Sequence, residues 1–120
     1  MTSFSPETAA VLARHIAAVK ARDVEAVMSN FAEDAVVFTP EGVVRGREAI
    51  RKDTEAFFAN TPPELLDRLE LVREDVEGDL AYLIWKSEPY VTLATESFVI
   101  REGRIEAQTF ALLAGTMSAG

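Results

Sequence analysis

The stretch of chain that most constrains the fold runs from residue 31 to residue 50 and reads FAEDAVVFTPEGVVRGREAI. We interpret it as a helix end, a short strand, a turn, a second short strand and the start of another helix. Residues 37–39 are compatible with a strand, and residues 40–42 (PEG) predict a tight turn, because Pro fixes φ and Gly accepts a positive φ. A helical pattern opens at Gly46. A hairpin followed at once by a helix indicates a chain that combines a sheet with helices.

Two helices are predicted before this stretch. Residues 5–7 (SPE) are typical of a helix start, with Ser as the N-cap, Pro at the first helical position and an acid in the first turn. Apolar residues at helical spacing extend this helix to Ala21. Asp23 can cap a short second helix through residues 28–29, which residues 31–32 would anchor.

A third helix is predicted from about Arg47 to Asn60, where two consecutive prolines end it. Everything after Pro63 is interpreted as an antiparallel meander with strands at residues 65–77, 80–90, 91–101 and 104–113. The strand at 80–90 is apolar on both faces, which predicts that both faces are covered. The two faces are Ala81, Leu83 and Trp85 on one side and Leu80, Tyr82 and Ile84 on the other.

Composition excludes several classes of function. The chain has 120 residues, which corresponds to one domain, and a formal net charge of −8, which disfavours nucleic acid and anionic membranes as partners. It has no Cys and one His, so disulfides, thiol chemistry and a multi-His metal site are not expected. The first residues lack the pattern of a signal peptide, so a cytoplasmic protein is expected. No cofactor is expected.

The order of these elements resembles a known family. An initial amphipathic helix, a short helix led by Asp23, the block at residues 31–50 and a turn at residues 103–105 (GRI) are similar to the SnoaL-like, ketosteroid-isomerase-like branch of the NTF2-like superfamily. The resemblance covers residues 8–113 as one domain and leaves 114–120 as a flexible tail. It implies an α+β, NTF2-like (cystatin-like) cone, in which three N-terminal helices pack in a curved antiparallel sheet around a pocket.

The resemblance also assigns roles to residues. In ketosteroid isomerases a carboxylate base stands directly before a proline, and a first-helix Tyr and a protonated sheet Asp form the oxyanion hole. Here Thr39 stands before the proline, His15 takes the first-helix position and Glu96 falls near the sheet position. The usual base is therefore absent, and steroid isomerisation by that base is not expected. His15 and Glu96 are the candidate acid–base pair, with Thr39 as a hydrogen-bonding wall residue; the alternative is that His15 borders the helix face and Glu96 points to solvent.

Strand alternation predicts further pocket residues on the concave face of the sheet: Trp85, Phe98, Gln108, Phe110 and Leu112. As a group they could line a ligand pocket with mostly apolar walls, although any one of them could instead fill the core. In the third helix, Phe57 and Phe58 are not both expected to face inward.

Two functions remain open on the sequence. The first is a small enzyme of the isomerase or polyketide-cyclase kind that performs acid–base chemistry on a hydrophobic carbonyl compound. The second is a non-catalytic NTF2-like domain that binds a ligand or dimerises, because a fold does not decide a function. In either case the expected partners are a hydrophobic small molecule and a second copy of the chain, bound through the outer face that carries Leu80, Tyr82 and Ile84.

Overall fold

The structure, a computed structural model, describes residues 4–115. In this part of the chain four helices and six strands follow one another. They are α1 (Pro6–Lys20), α2 (Val24–Met28), β1 (Phe31–Thr39), β2 (Gly42–Arg45), α3 (Arg47–Asn60), α4 (Pro63–Asp67), β3 (Glu70–Glu77), β4 (Leu80–Ser87), β5 (Val91–Arg101) and β6 (Arg104–Ala114). None of the described helices is long and apolar enough to cross a membrane.

The helix starts follow the local chemistry of the sequence. The Ser5 hydroxyl accepts the amide N–H of Thr8 at the start of α1, and the Asp23 carboxylate accepts that of Ala26 at the start of α2. Both side chains thus satisfy backbone donors that a helix N-terminus leaves unpaired. The predicted bounds of α3 are confirmed.

Two predictions about local structure are wrong. The stretch at residues 31–50 does not begin with a helix end, because β1 starts at Phe31, next to the point where the Asn30 carbonyl accepts the N–H of Ile105 from β6. The predicted strand at residues 65–77 is preceded by an unpredicted helix, α4, whose Leu65 and Leu66 are buried. Pro at the first position of α4 is compatible with a helix start, which explains why a chain segment with strand-like leucines can form one.

The six strands form a single sheet in the order β2-β1-β6-β5-β4-β3. Strands β3 to β6 form the predicted meander, but β1 pairs with β6 in parallel, so the sheet is not antiparallel throughout. A hairpin forces its strands to be antiparallel, whereas β1 and β6 are separated by two helices and four strands and have no such constraint. Register shifts on neighbouring strands, between Leu71 and Arg73, Trp85 and Ser87, and Val91 and Leu93, are of the kind that bends a sheet.

The helices pack against the concave face of this sheet. The inward residues of β4, Ala81, Leu83 and Trp85, are each 3% exposed, as the alternation predicted. On the outer face Leu80 is 57% exposed, and Phe38 of β1 is also largely exposed. The fold thus buries one face of the sheet and leaves apolar side chains on the other.

Residues assigned to the predicted flexible tail lie partly in the sheet. Ala114 ends β6 opposite Val91, and the N–H of Gly115 donates to the carbonyl of Tyr90. The rest of that tail, residues 116–120, lies outside the described residues.

Candidate functional site

A cavity of about 140 Å³ lies between the helices and the concave face of the sheet. Apolar side chains from the helices and the sheet form most of its wall, and a few polar side chains lie among them. The lining residues are His15, Val19, Val27, Phe31, Val37, Thr39, Ile50, Asp53, Thr54, Phe57, Phe58, Leu66, Leu69, Trp85, Glu96, Gln108 and Phe110. Apolar walls with a few convergent polar groups are typical of small-molecule sites.

Glu96 projects from β5 into this cavity. Its Oε2 accepts the indole N–H of Trp85 at 2.8 Å, and its Oε1 accepts the Nε2–H of Gln108 at 2.8 Å. The two donors belong to the neighbouring strands β4 and β6, each at a diagonal position two residues from the direct partner of Glu96. The sheet therefore holds the carboxylate from both sides.

Burial raises the pKa of Glu96 to about 7, and the hydrogen bonds from Trp85 and Gln108 oppose that rise because they stabilise the charged form. The cost of removing a charge from water exceeds the gain from two hydrogen bonds. Both forms of this carboxyl are consequently populated near neutral pH, as a general acid or base requires.

His15 lies in α1 and is 5% exposed. Its ring makes edge-on contacts with Phe31 and Phe98, with centroids 5.5 Å and 5.7 Å away. Its Nδ1 is 3.3 Å from the side-chain nitrogen of Asn30. Burial among these rings lowers the pKa of His15 to about 4, so the imidazole is neutral over the physiological range.

His15 and Glu96 line the same cavity but do not pair. Within residues 4–115 no hydrogen bond joins them: the carboxylate accepts from Trp85 and Gln108, and Nδ1 of the imidazole lies next to the Asn30 amide. The described residues thus show no direct hydrogen bond between the two candidates, and their joint role as acid and base stays a prediction. The alternative, with Glu96 in solvent, does not fit the structure, since its carboxylate lines the cavity.

The other predicted site residues are divided. Trp85, Gln108 and Phe110 line the cavity, whereas Phe98 and Leu112 do not. Phe98 is 1% exposed and packs in the core against the imidazole ring. Leu112 is exposed because β6 extends beyond its last pairing with β1, which ends at Phe38–Thr109.

Thr39 also lines the cavity, but its hydroxyl is engaged in the turn between β1 and β2. It donates to the carbonyl of Gly42 and accepts the N–H of Glu41. It therefore contributes wall area rather than a free hydrogen-bonding group.

Helix α3 supplies lining residues that the sequence reasoning missed. Asp53 and Thr54 face the cavity, and Phe57 and Phe58 both do, although the sequence prediction allowed only one of them. Counted from Ile50, these four residues follow at spacings of 3, 4, 7 and 8, which is the spacing of one face of a helix. Such a face is wide enough to include two adjacent residues, here Phe57 and Phe58. That periodicity was the signal available in the sequence.

The charges around the cavity have one sign. Its ionisable lining residues are two carboxylates, Glu96 and Asp53, and the neutral imidazole of His15, with no Lys or Arg among the described lining residues. Within residues 4–115 no three Asp, Glu or His side chains are placed to hold a metal ion. The polar part of the site thus consists of hydrogen-bonding groups and carboxylates.

Comparison with known proteins gives a family match and a set of similar folds. The profile of SnoaL-like domains matches residues 12–108. No curated protein matches the chain. A solved protein from Sinorhizobium meliloti, named as a candidate polyketide cyclase, shares 24% identity with a TM-score of 0.71, over 84% of this chain and 93% of that one.

Two further solved structures have similar folds. A candidate ketosteroid isomerase from Kribbella flavida has a TM-score of 0.72 and 14% identity over 95% of this chain and 83% of that one. An NTF2-like protein of unknown function from Mesorhizobium loti has a TM-score of 0.75 and 21% identity over 91% of this chain and 93% of that one. At these identities the likeness concerns the arrangement of helices and sheet alone.

Proposed function

Because the chain belongs to the family of SnoaL-like domains and has the NTF2-like fold that its sequence predicted, we propose that it is a small-molecule enzyme of the isomerase or cyclase kind. Its reaction would be acid–base chemistry on a hydrophobic carbonyl compound, with Glu96 as the base. The observation that carries the proposal is the carboxyl of Glu96 in an apolar cavity, with a pKa raised to about 7.

The chemistry follows from the groups in the cavity. The Glu96 carboxylate takes a proton from the carbon next to the carbonyl, the C–H electron pair becomes part of a C=C bond, and the carbonyl oxygen gains negative charge. The neutral imidazole of His15 donates a hydrogen bond to that oxygen, and the apolar walls exclude water that would weaken it. Delivery of that proton to another carbon, through an enolate conjugated with a second C=C bond, completes an isomerisation. If the proton on Glu96 is first replaced by one from the solvent, delivery to the same carbon completes an exchange.

Size and charge restrict the substrate. A cavity of about 140 Å³ is close to the engineered cavity of about 150 Å³ that holds benzene, which favours a compound with one ring over a steroid. A carboxylate ligand would meet Glu96 and Asp53 without a cation to offset them, which favours a neutral compound.

Cyclohexyl methyl ketone is a suitable probe for this activity. In heavy water at about pH 8, the protein is expected to exchange the protons next to its carbonyl for deuterium, and Glu96→Gln to slow this exchange by at least about 100-fold, the usual contribution of a positioned base. Proton NMR of the ketone measures both rates. Saturable binding without exchange by the wild-type protein would contradict catalysis and support the non-catalytic ligand-binding alternative.

The matched acid, cyclohexanecarboxylate, tests the neutral preference of the cavity. It replaces the methyl group of the ketone with a charged oxygen and keeps the shape, so we expect binding at least about tenfold weaker, a difference of about 1.4 kcal/mol. Quenching of Trp85, the single tryptophan of the chain, reports on both ligands because its indole lines the cavity. Equal affinities would contradict the argument from charge.

The outer face of the sheet is the part of the molecule that supports our proposal of a homodimer. Leu80, Tyr82 and Ile84 of β4 share this face with Phe38 and Leu113, of which Leu80, Phe38 and Leu113 are 57%, 48% and 61% exposed. Ser97 and Thr109 lie between Tyr82 and Phe38 on the same face, so the surface is mixed, and its exposed large apolar side chains support an interaction surface.

Sedimentation velocity at micromolar concentration is expected to show a dimer. Ile84→Glu places a charge in the centre of the face and is expected to give a monomer, because an unpaired charge at a buried interface is costly. Ala17→Glu on the exposed side of α1 is the control and is expected to remain a dimer. A wild-type monomer at this concentration would remove the proposal.

A further inference from the structure

Asn30 occupies a fixed position between α2 and β1. It is fully buried, at 0% exposed. Its N–H donates to the carbonyl of Val27, and its own carbonyl accepts the N–H of Ile105 in β6 at 2.7 Å. The backbone is therefore held on both sides, and its side chain has little freedom to move.

The orientation of the Asn30 amide follows from its partners. Arg14 Nε lies 3.0 Å from one end of that amide, and because a guanidinium only donates, this end must be the oxygen Oδ1. Arg14 is held in turn by the carbonyl of Gly103, 3.3 Å from its Nη2. The amide nitrogen of Asn30 consequently points to Nδ1 of His15, 3.3 Å away.

We propose that Asn30 is a positioning residue that fixes His15 as the neutral tautomer with its proton on Nε2. An amide nitrogen can only donate, so Nδ1 of His15 must accept and cannot carry a proton. The remaining proton is then on Nε2, which has no hydrogen-bond partner in the described part of the chain. Since His15 lines the cavity, this N–H is the donor available to a ligand.

The surroundings of the imidazole support the same state. Two phenylalanine rings flank it and disfavour the charged form. The charged or titratable groups around it are Glu96 of β5 and Asp53 of α3, which line the cavity, and Arg14, which lies behind the Asn30 amide. The inference rests on the proposed function only for the use of this N–H, as a hydrogen bond to a carbonyl oxygen.

The test reads the proton positions directly. His15 is the single histidine of the chain, so ¹⁵N-histidine labelling gives one imidazole, and its two nitrogens are told apart by their couplings to the ring protons. Without a ligand, we expect Nδ1 in the range of an unprotonated nitrogen and Nε2 in the range of a protonated one from about pH 6 to about pH 8. A proton on Nδ1 in the wild-type protein would overturn the inference.

Asn30→Asp provides the second arm. It keeps the shape but replaces the donor with a carboxylate, which accepts a hydrogen bond from a protonated Nδ1 and stabilises a charged imidazole. The Nδ1 resonance is expected to move to the protonated range, whereas Asn60→Asp, the same change at the exposed end of α3, leaves the spectrum unchanged. A folded Asn30→Asp protein with Nδ1 still unprotonated would overturn the inference.

The two arms are independent of catalysis. If Asn30→Asp fails to fold, the wild-type spectrum still decides the tautomer. If the ketone is neither bound nor exchanged, the proposed function fails while the spectrum of the free protein still tests the role of Asn30. A residue with only a structural role would alter stability and leave the proton on Nε2.

Discussion

Phe98→Ala is expected to lower the free energy of unfolding by about 4 kcal/mol, because it deletes a ring from the centre of the core. Phe98 is 1% exposed, and its ring lies 5.7 Å from that of His15. Removing it costs the transfer of the ring into water and leaves a void that the sheet and α1 cannot fully close. Urea denaturation followed by far-UV circular dichroism measures the change.

Phe4→Ala is the matched control. Phe4 precedes α1 and is 63% exposed, so the same deletion is expected to cost less than about 0.5 kcal/mol. A loss from Phe98→Ala no larger than that of the control would show that the packing around Phe98 differs from the structure described above.

Features that depend on neighbouring residues were predictable from the sequence. The caps at Ser5 and Asp23 and the stop at the two prolines after α3 depend on a few adjacent residues, and the structure has them. The faces of β4 follow from the two-residue period of a strand, and the same period puts Glu96 and Phe98, two residues apart in β5, on one face.

Features set by distant residues were not predictable in this way. The parallel pairing of β1 with β6 joins segments about seventy residues apart. No local pattern gave α4, because its short apolar run fits a strand and a helix equally. The fold class was reached through the order of the elements, which does not specify their pairing.

The candidate site shows the same division. Alternation brought Glu96, Trp85 and Gln108 to one face, but only the register of β4, β5 and β6 decides that both donors reach the carboxylate. The hydrogen-bond partner of His15 is Asn30, a residue that belongs to no periodic pattern in the sequence. Sequence periods thus identified which side chains enter the cavity, and the tertiary structure decided which of them are paired.

Glu96→Gln is expected to be more stable than the wild-type protein above about pH 7, by about 3 kcal/mol. The pKa of Glu96 is raised from 4.5 to about 7 in the folded state, chiefly by burial. Below pH 4.5 the carboxyl is protonated in both the folded and the unfolded state, so its contribution to stability is fully present. As the pH rises from 4.5 to about 7 the unfolded chain ionises first, and the stability of the wild-type protein falls.

The amide of Gln does not titrate, so the variant avoids this loss while the site keeps its hydrogen bonds. The new amide oxygen can accept the Trp85 N–H, and its nitrogen can donate to the oxygen of Gln108 after that side chain rotates by half a turn. Urea denaturation at about pH 5 and about pH 8 should show a difference in unfolding free energy between variant and wild type that is small at the lower pH and large at the higher.

Glu74→Gln on the exposed surface of β3 is the control, expected to change stability by less than about 0.5 kcal/mol at both pH values. Equal stability of Glu96→Gln and the wild-type protein at both values would show that the carboxyl is not held at a raised pKa. It would also remove the raised pKa that supports Glu96 as a base, since a base whose pKa lies near the working pH is the most effective.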